Sequence, residues 1–470
     1  MVLNWLSKLS FERKDTLSTP SPTISTKTRR LITAILLLSA FVSLASQTMM
    51  ITALPVIEHE LHVSLNAVQW LTTGYTLIIG IVTPLSSNMY EKFTNRQVFL
   101  WTIGAFIVGT VIGCLASNFY SLLLARLIQA AASGMLMSFQ MTTMISIYPI
   151  EQRGSILGLS SLVISTAPAI GPTISGFLLQ VLSWRWLFIA VLPFMVVVFI
   201  IGYFKLQNFS KTRDIKIDYL SVFISLLGSA LALGSLTVFE INVWAGWAML
   251  VVGLVIIAFF VKRQLHLTNP MLKVQIFKYP SFRLMTFVGI FAFMILLGTE
   301  QLVPIFSENV LGMGSFKSGL ILLPGAICNG VAASFIGRLY DEYGPKWLII
   351  IGGVLMLIAS YPFVTISQHS SILVLTLAYT VRMIGNAFVF SPALSEAFSG
   401  LSRLENSHGT ALNNTLRQVS GAVSVTILVV IAGIPSSLIA GIRLSMWITV
   451  LLIVLMMLTF AHYLKVSKQR

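Results

Sequence analysis

Charged residues are scarce in this sequence: they make up 10% of its 470 residues, whereas 56% of the residues are hydrophobic. Soluble domains carry about 25% charged residues. A chain with so little polar surface cannot cover a water-soluble globule of this size. The composition therefore predicts an all-α membrane protein that crosses the bilayer many times.

Cysteine and histidine are also rare. Cys114 and Cys328 fall in apolar segments and suggest neither a disulfide framework nor a zinc site, and the six histidines do not have metal-ligand spacing. The sequence contains no Gly-x-x-x-x-Gly-Lys-Ser/Thr loop that would bind ATP phosphates. We therefore expect no metal, no cofactor and no ATP site, and a protein that is not an enzyme.

Long apolar runs are abundant. Runs of about 18–25 apolar residues are long enough to cross a bilayer as helices. Fourteen such runs are predicted, at residues 31–57, 67–88, 98–116, 120–143, 154–180, 185–204, 218–239, 244–261, 284–304, 316–337, 346–366, 371–394, 409–433 and 442–463.

Basic residues outnumber acidic ones by 30 to 15, and their positions predict the topology. The two tails and the loops on one side hold 24 of the 30, and three, Arg126, Arg382 and Arg417, lie inside spans. Cytoplasmic loops are enriched in Lys and Arg. No cleavable signal follows the polar residues 1–30. We therefore expect a multi-pass protein of the cytoplasmic membrane with both termini inside, and contact with lipid but not with nucleic acid.

The chain repeats itself at a shift of about 250 residues. The repeat pairs Pro55 with Pro304, Glu91 with Asp341, and Arg126 with Arg382. Repeated six-helix halves indicate a transporter with a central site between them. The predicted parts are a tail (1–30), a first half (31–204), a linker region with two extra spans at about 218–261 (205–283), a second half (284–464) and a short tail (465–470).

The loop after span ten carries a gating motif. Gly337, Leu339, Asp341, Gly344 and Lys346 match the pattern G-x-L-x-D-x-x-G-x-K. On this motif and those below, the chain resembles the major facilitator superfamily, specifically its fourteen-helix drug:proton antiporter branch, from about residue 30 to the C-terminus.

The first-half copy of this motif keeps its charges, at Glu91 and Arg96, but not its glycines. The resemblance implies that both loops gate the cytoplasmic side, with Glu91 and Asp341 as the central residues. The alternative is an ordinary charged turn.

Two further stretches support the resemblance. Span four carries R-x-x-Q with Arg126 and Gln129, although Ala130 replaces the glycine of the family motif. The stretch GTALNNTLRQVSGA (Gly409–Ala422) in span thirteen, which includes Arg417, is similar to the corresponding stretch of this branch.

Span five has the residues of the family's antiporter motif: Pro168, Gly171, Pro172 and Gly176. Ser175 stands where the family has a glycine. Small residues at helical spacing let another backbone approach closely. The resemblance implies that this helix lies between the halves and is associated with export by antiport. The alternative is a helix that only packs.

Span one lacks the acid that the family often has there, because Ser46 occupies its place. In this respect the chain resembles the subgroup that includes lincosamide exporters. Glu300 is then the one carboxyl group well inside a span. An ionisable group in a membrane costs about 2.5–3.5 kcal/mol on insertion scales, so it invites a functional hypothesis. Glu300 is predicted to bind the coupling proton. Alternatively, it pairs with another span, for which Arg382 and Arg417 are candidates.

The sequence thus predicts a monomeric, proton-driven exporter of hydrophobic or amphipathic small molecules. Arg126 is expected to take part in transport or to hold a backbone carbonyl, Gln69 or an anionic substrate group. Trp70, Tyr75 and Phe291 are candidates for the substrate cavity. The alternatives are an exporter dedicated to one metabolite, lipid or peptide, and a receptor or scaffold with the same fold.

Overall fold

Long helices account for most of the chain in the computed structural model, which describes residues 25–63, 65–149, 152–208, 218–239, 242–267 and 270–468. These ranges contain no β-strand. Most of the predicted N-terminal tail, part of the linker region at 209–217 and the last two residues lie outside them. The helices of 18 residues or more in these ranges are α1 (Thr26–Leu61), α2 (Leu65–Val82), α3 (Asn95–Cys114), α4 (Phe119–Ile147), α5 (Arg153–Val181), α6 (Trp186–Lys205), α7 (Tyr219–Val238), α8 (Val243–His266), α9 (Pro280–Asn309), α10 (Ser315–Tyr343), α11 (Pro345–Val364), α12 (Ile372–Ser399), α13 (Arg403–Gly433) and α14 (Leu438–Lys468).

Twelve of these helices, within the described ranges, are long and apolar enough to cross a membrane. The other two are α2 and α7, and the apolar stretch of α7, Tyr219–Ala232, is shorter. Each of the fourteen predicted spans overlaps one helix. Span two differs most from its prediction, because α2 gives way to a short 3₁₀ turn at Thr83–Leu85 and a seven-residue helix at Ser86–Lys92.

The first six and the last six helices repeat one packing pattern. Helix α1 contacts α4, α5 and α6, and α9 makes the equivalent contacts with α12, α13 and α14. Helix α4 packs on α2 and α3, as α12 packs on α10 and α11. We call α1–α6 the first half and α9–α14 the second half. Helices α7 and α8 pack on each other, and α7 also contacts α2.

The two halves meet mainly along α5 and α10, with further contacts of α13 with α2 and α4. Glycines allow the closest approach. A Cβ at Gly158 would collide with the carbonyl oxygen of Ala333, and a Cβ at Gly337 would collide with the carbonyl oxygen of Gly154. The absence of side chains at these positions lets the two backbones touch at the predicted cytoplasmic end.

An ion pair fastens the start of α7 to the end of α8. Arg263 donates to Asp218 Oδ2 at 2.8 Å, and Ser221 Oγ donates to the same carboxylate at 2.7 Å. Burial opposes ionisation of Asp218, but the bonds from Ser221 and Arg263 prevail and hold the pKa of this carboxyl below its usual value. This clamp fixes the inserted helix pair as a hairpin.

Candidate transport site

Arg126 lies fully buried in α4 and is well supplied with acceptors. Its Nε donates to the Leu71 carbonyl at 3.3 Å, Nη1 to the Ser46 carbonyl at 3.2 Å and Nη2 to the Gln47 carbonyl at 3.4 Å. Nη1 also donates to Oε1 of Gln129 at 3.0 Å. The guanidinium thus binds backbone of α1 and α2. Ser46 stands where the family often has an acid, and its backbone carbonyl is one of the acceptors of Arg126.

Tyr75 belongs to this arginine site. Its ring centroid lies 4.1 Å from Cζ of Arg126, and its hydroxyl is 2.5 Å from Oγ of Ser133, which also accepts a bond from Ser43 at 2.6 Å. Tyr75 therefore supports Arg126 inside the first half. Trp70 is 43% exposed on the same helix.

Arg382, the repeat partner of Arg126, is also fully buried but has fewer partners. Its Nη2 donates to Thr449 Oγ1 at 2.7 Å, and the Phe363 ring centroid lies 5.7 Å from its Cζ. Within the described residues, its Nε and Nη1 have no acceptor. A buried polar group without a partner is costly. The buried arginine of the second half therefore has fewer hydrogen-bond partners than Arg126, its counterpart in the first half.

Glu300 lies in the C-terminal part of α9. Its Oε1 is buried and has no hydrogen-bond partner among the described residues. None of the ion pairs within 4.0 Å in these ranges involves Glu300, so neither Arg382 nor Arg417 pairs with it there. Glu396, in contrast, accepts bonds from the hydroxyls of Tyr340 and Tyr463.

A narrow cavity lies between the halves and is lined by residues of α1, α4, α5, α12 and α13. Its polar lining consists of Gln140, Ser160, Asn414 and Arg417, and its apolar lining includes Met137. The predicted cavity residues Trp70, Tyr75 and Phe291 do not line it. Phe291 packs against the hydrophobic core.

Asp341 joins the halves at the predicted cytoplasmic end. Its Oδ1 accepts from the Gly154 backbone N–H at 2.8 Å, and its Oδ2 accepts from the Ser155 N–H at 3.0 Å and the Ser155 hydroxyl at 2.9 Å. A carboxylate is favoured at a helix N-terminus, where free N–H groups and the positive end of the helix dipole meet. Asp341 thus caps α5 from the other half.

Glu91, the repeat partner of Asp341, also reaches across the halves but binds a side chain. Its Oε1 lies 2.8 Å from Nε2 of His408 in α13, and the histidine side chain is only 2% exposed. The basic gate residues make their contacts within their own half. Arg96 donates to the Tyr203 carbonyl at 2.5 Å, and Lys346 Nζ lies 4.9 Å from the Trp347 ring centroid.

Gly344 and Gly337 serve different purposes. The motif was expected in the loop after span ten, but Gly337 and Asp341 lie near the end of α10, which continues to Tyr343. Gly344 joins α10 to α11 with a φ of 71°, in the region that favours glycine. Gly337 makes the close contact with Gly154 described above.

The residues of the antiporter motif face mostly into their own half. A Cβ at Gly171 would collide with Thr48 Oγ1 and lie 2.7 Å from the Ala45 carbonyl oxygen, both in α1. Ser175 Oγ contacts Thr52 Oγ1, also in α1, and a Cβ at Gly176 would meet nothing within 4 Å. Pro168 and Pro172 lie inside one continuous helix, α5. The resemblance implied that this helix lies between the halves, and α5 does contact α10 there, but the close contact is made by Gly154 and Gly158 and not by Gly171.

The sequence analysis assigned no role to His408, Gln140 or Ser160. Asn414 lies in the stretch of span thirteen that resembles the family, but it also had no assigned role. The signal for Asn414 was its spacing, because it lies one helical turn before Arg417 and accepts a bond from it at 2.9 Å. No local pattern distinguished the other three, since their role depends on contacts between distant helices.

The fold, the polar groups buried between its two halves and the twelve apolar helices define a membrane transporter rather than an enzyme. Residues 36–425 match the Major Facilitator Superfamily. The chain belongs to this family.

Relatives of the chain include transporters and resistance proteins. It is 40% identical over 407 residues to the uncharacterized MFS-type transporter YcnB of Bacillus subtilis, covering 85% of this chain and 86% of the relative. It is 37% identical over 403 residues to the lincomycin resistance protein LmrB of Listeria innocua, with the same coverage. The crystal structure of the human organic anion transporter MFSD10 has the same fold, with a TM-score of 0.67 at 14% identity, over 92% of this chain and 99% of that chain.

Proposed function

We propose that the protein is a proton-coupled exporter that moves hydrophobic or amphipathic small molecules out of the cell by alternating access between its two halves. Its lincomycin-resistance relatives support export of a drug-like molecule, so lincomycin, which is a base, is tested first, together with acidic and neutral compounds of similar size. Proton movement would drive the cycle, with no ATP and no cofactor. The transporter is proposed to act as a monomer.

The buried carboxyl group of Glu300 is the feature that supports proton coupling. Antiport needs a group that takes up a proton from one side and releases it on the other, and a carboxyl group that is not held in an ion pair can do this. Glu300 is such a group in α9, since its buried Oε1 has no partner among the described residues. Glu396 is less suited, because two tyrosine hydroxyls already bind it.

The proposed topology has fourteen spans, with both termini in the cytoplasm. The helical hairpin of α7 and α8 and the bias of Lys and Arg among the loops support it. With Cys114 and Cys328 changed to serine, cysteines at Ser210 and Thr268 should resist an impermeant thiol reagent in intact cells. Labelling of either cysteine from outside would contradict this topology. Both positions lie outside the described residues.

Export by an imposed gradient tests the proposal directly. Purified protein in proteoliposomes should accumulate lincomycin, or another member of a chemically diverse panel, when a pH gradient is applied. A collapsed gradient and empty liposomes are the controls. Transport of one metabolite, lipid or peptide alone would identify a dedicated exporter. Binding without any flux would favour a receptor or scaffold.

A further inference from the structure

Arg417 is buried in the wall of the cavity between the halves with part of its hydrogen-bonding capacity unused. The residue is 3% exposed, and its Nη2 donates to Asn414 Oδ1 at 2.9 Å. Its Nε and Nη1 are buried and have no acceptor in the described part of the chain. A guanidinium cannot lose its charge in a protein, so these donors need a partner.

The surroundings of Arg417 stabilise a cation without neutralising it. The ring centroids of Phe293 and Phe390 lie 5.1 and 5.4 Å from its Cζ. Aromatic faces attract a cation, but they do not supply acceptors in the plane of the guanidinium. The cavity lining contains no acidic residue. The positive charge of Arg417 is therefore left unpaired by the lining itself.

Arg126 shows that this chain can satisfy a buried arginine completely. That residue finds three backbone carbonyls and one side-chain amide oxygen. The repeat does not explain Arg417, because Leu162 stands at the equivalent place when Gly154 is aligned with Gly409. The arginine is thus an addition to one half, placed where the two halves enclose a space.

The rest of the cavity suits an amphipathic molecule. Asn414 bridges the halves by donating to Ser138 Oγ at 3.2 Å, and Gln140 donates to Ser160 Oγ at 3.2 Å. Methionines, whose flexible side chains adapt to ligands of different shape, line the apolar part, among them Met137 and Met141. The polar and apolar linings are therefore both present in one cavity.

In this conformation the cavity has room for about one water molecule, so a larger ligand would enter only when the two halves move apart. From these observations we infer that the cavity, once opened in this way, binds amphipathic molecules with an acidic head group, such as a carboxylate, phosphate or sulfonate, and that Arg417 holds this group. The inference rests on the proposed function, because the cavity is taken as the substrate site of the transporter. A charged acceptor oxygen would supply the partner that the guanidinium lacks. The apolar part of the ligand would contact the methionines.

A matched set of three aromatic probes tests the inference without any transport. Binding to purified protein in nanodiscs is measured with radiolabelled 1-naphthoic acid. Competition by 1-naphthylmethanol and by 1-naphthylmethylammonium compares an acid, a neutral alcohol and a cation on the same ring. We expect saturable binding of the acid and a clear preference for it. No saturable binding, or equal competition by all three compounds, would overturn the inference.

Three variants test whether Arg417 causes the preference for the acid. Arg417→Gln should weaken binding of the acid about tenfold or more, because a charge-assisted hydrogen bond is lost, and Arg417→Lys should keep most of the preference. Arg443→Gln removes another guanidinium, one that donates to the Ile366 carbonyl and does not line the cavity, and it should leave the preference unchanged. Unchanged binding of the acid by Arg417→Gln would contradict the inference. If that variant does not purify as a monodisperse protein, the preference of the wild type alone decides.

The outcome is separable from proton coupling, since binding needs no gradient. A protein that prefers the acid but shows no gradient-driven flux would keep the inference and refute the proposed function. A protein that exports when a gradient is applied but shows no preference for the acid would keep the proposed function and refute the inference.

Discussion

The two halves share a fold but treat their buried charges differently. In the first half, Arg126 donates to four acceptors and stacks on Tyr75. In the second half, Arg382 and Arg417 each have two nitrogens without an acceptor among the described residues, and Glu300 has a buried oxygen without a donor. A satisfied network is rigid, whereas an unsatisfied group is ready to bind a proton or a ligand. We propose that the first half serves mainly as the scaffold and that the charged groups of the second half bind the proton and the ligand head group.

The largest effect is the expected difference in thermal stability between variants of the two repeat-related arginines. Arg126→Gln removes bonds to the backbone of α1 and α2, and each bond from a charged group contributes about 1.5–3 kcal/mol. The variant should lose most of its thermal stability in detergent. Arg382→Gln removes one bond and an unpaired charge, and its melting temperature should change little. Equal losses in the two variants would remove the contrast between the halves.

A large but purely functional effect is expected from the glycine contact between the halves. Gly158→Leu places a side chain against the Ala333 carbonyl, and overpacking costs about 1–3 kcal/mol. This cost falls on the state in which α5 and α10 touch, so export should fall while the protein level is kept. Gly176→Leu is the control on the same helix, because nothing lies within 4 Å of its Cβ position. Similar export by both variants would show that this contact does not limit the cycle.

The two predicted cytoplasmic gates should differ in strength. Asp341→Asn removes a charge from the N-terminus of α5, where it contributes up to about 2 kcal/mol. Glu91→Gln keeps a hydrogen-bond acceptor for His408, so its effect should be smaller. With Cys114 and Cys328 replaced by serine, a cysteine at Ser160 reports opening through its labelling rate in inside-out vesicles. Faster labelling in the Glu91 variant than in the Asp341 variant would reverse the order.

The helices and the family followed from the sequence, whereas the contacts of the site did not. Apolar runs and repeated motifs are local signals, and they located the twelve described helices that are long and apolar enough to cross a membrane. Glu91 and Asp341 were expected in loops, but they lie in the short helix Ser86–Lys92 and at the end of α10. Which face of α5 meets which neighbour is set by packing of distant helices. The sequence therefore did not show that Gly171 packs on α1, and His408 carried no signal. A backbone carbonyl was among the predicted partners of Arg126 and is observed, but which carbonyls it binds, and the missing partners of Arg417, cannot be read from residue types.

Proton coupling at Glu300 is the central claim, and one pair of assays tests it. Glu300→Gln keeps the shape and hydrogen-bonding capacity of the side chain but cannot titrate. In proteoliposomes, with lincomycin or the compound of largest gradient-driven flux, this variant should lose accumulation driven by a pH gradient. It should still exchange substrate for substrate without a gradient, with affinity within about tenfold of the wild type, because exchange requires no net proton movement. Glu308→Gln, at the end of the same helix, should behave as the wild type. Accumulation by Glu300→Gln at the wild-type rate would contradict the account.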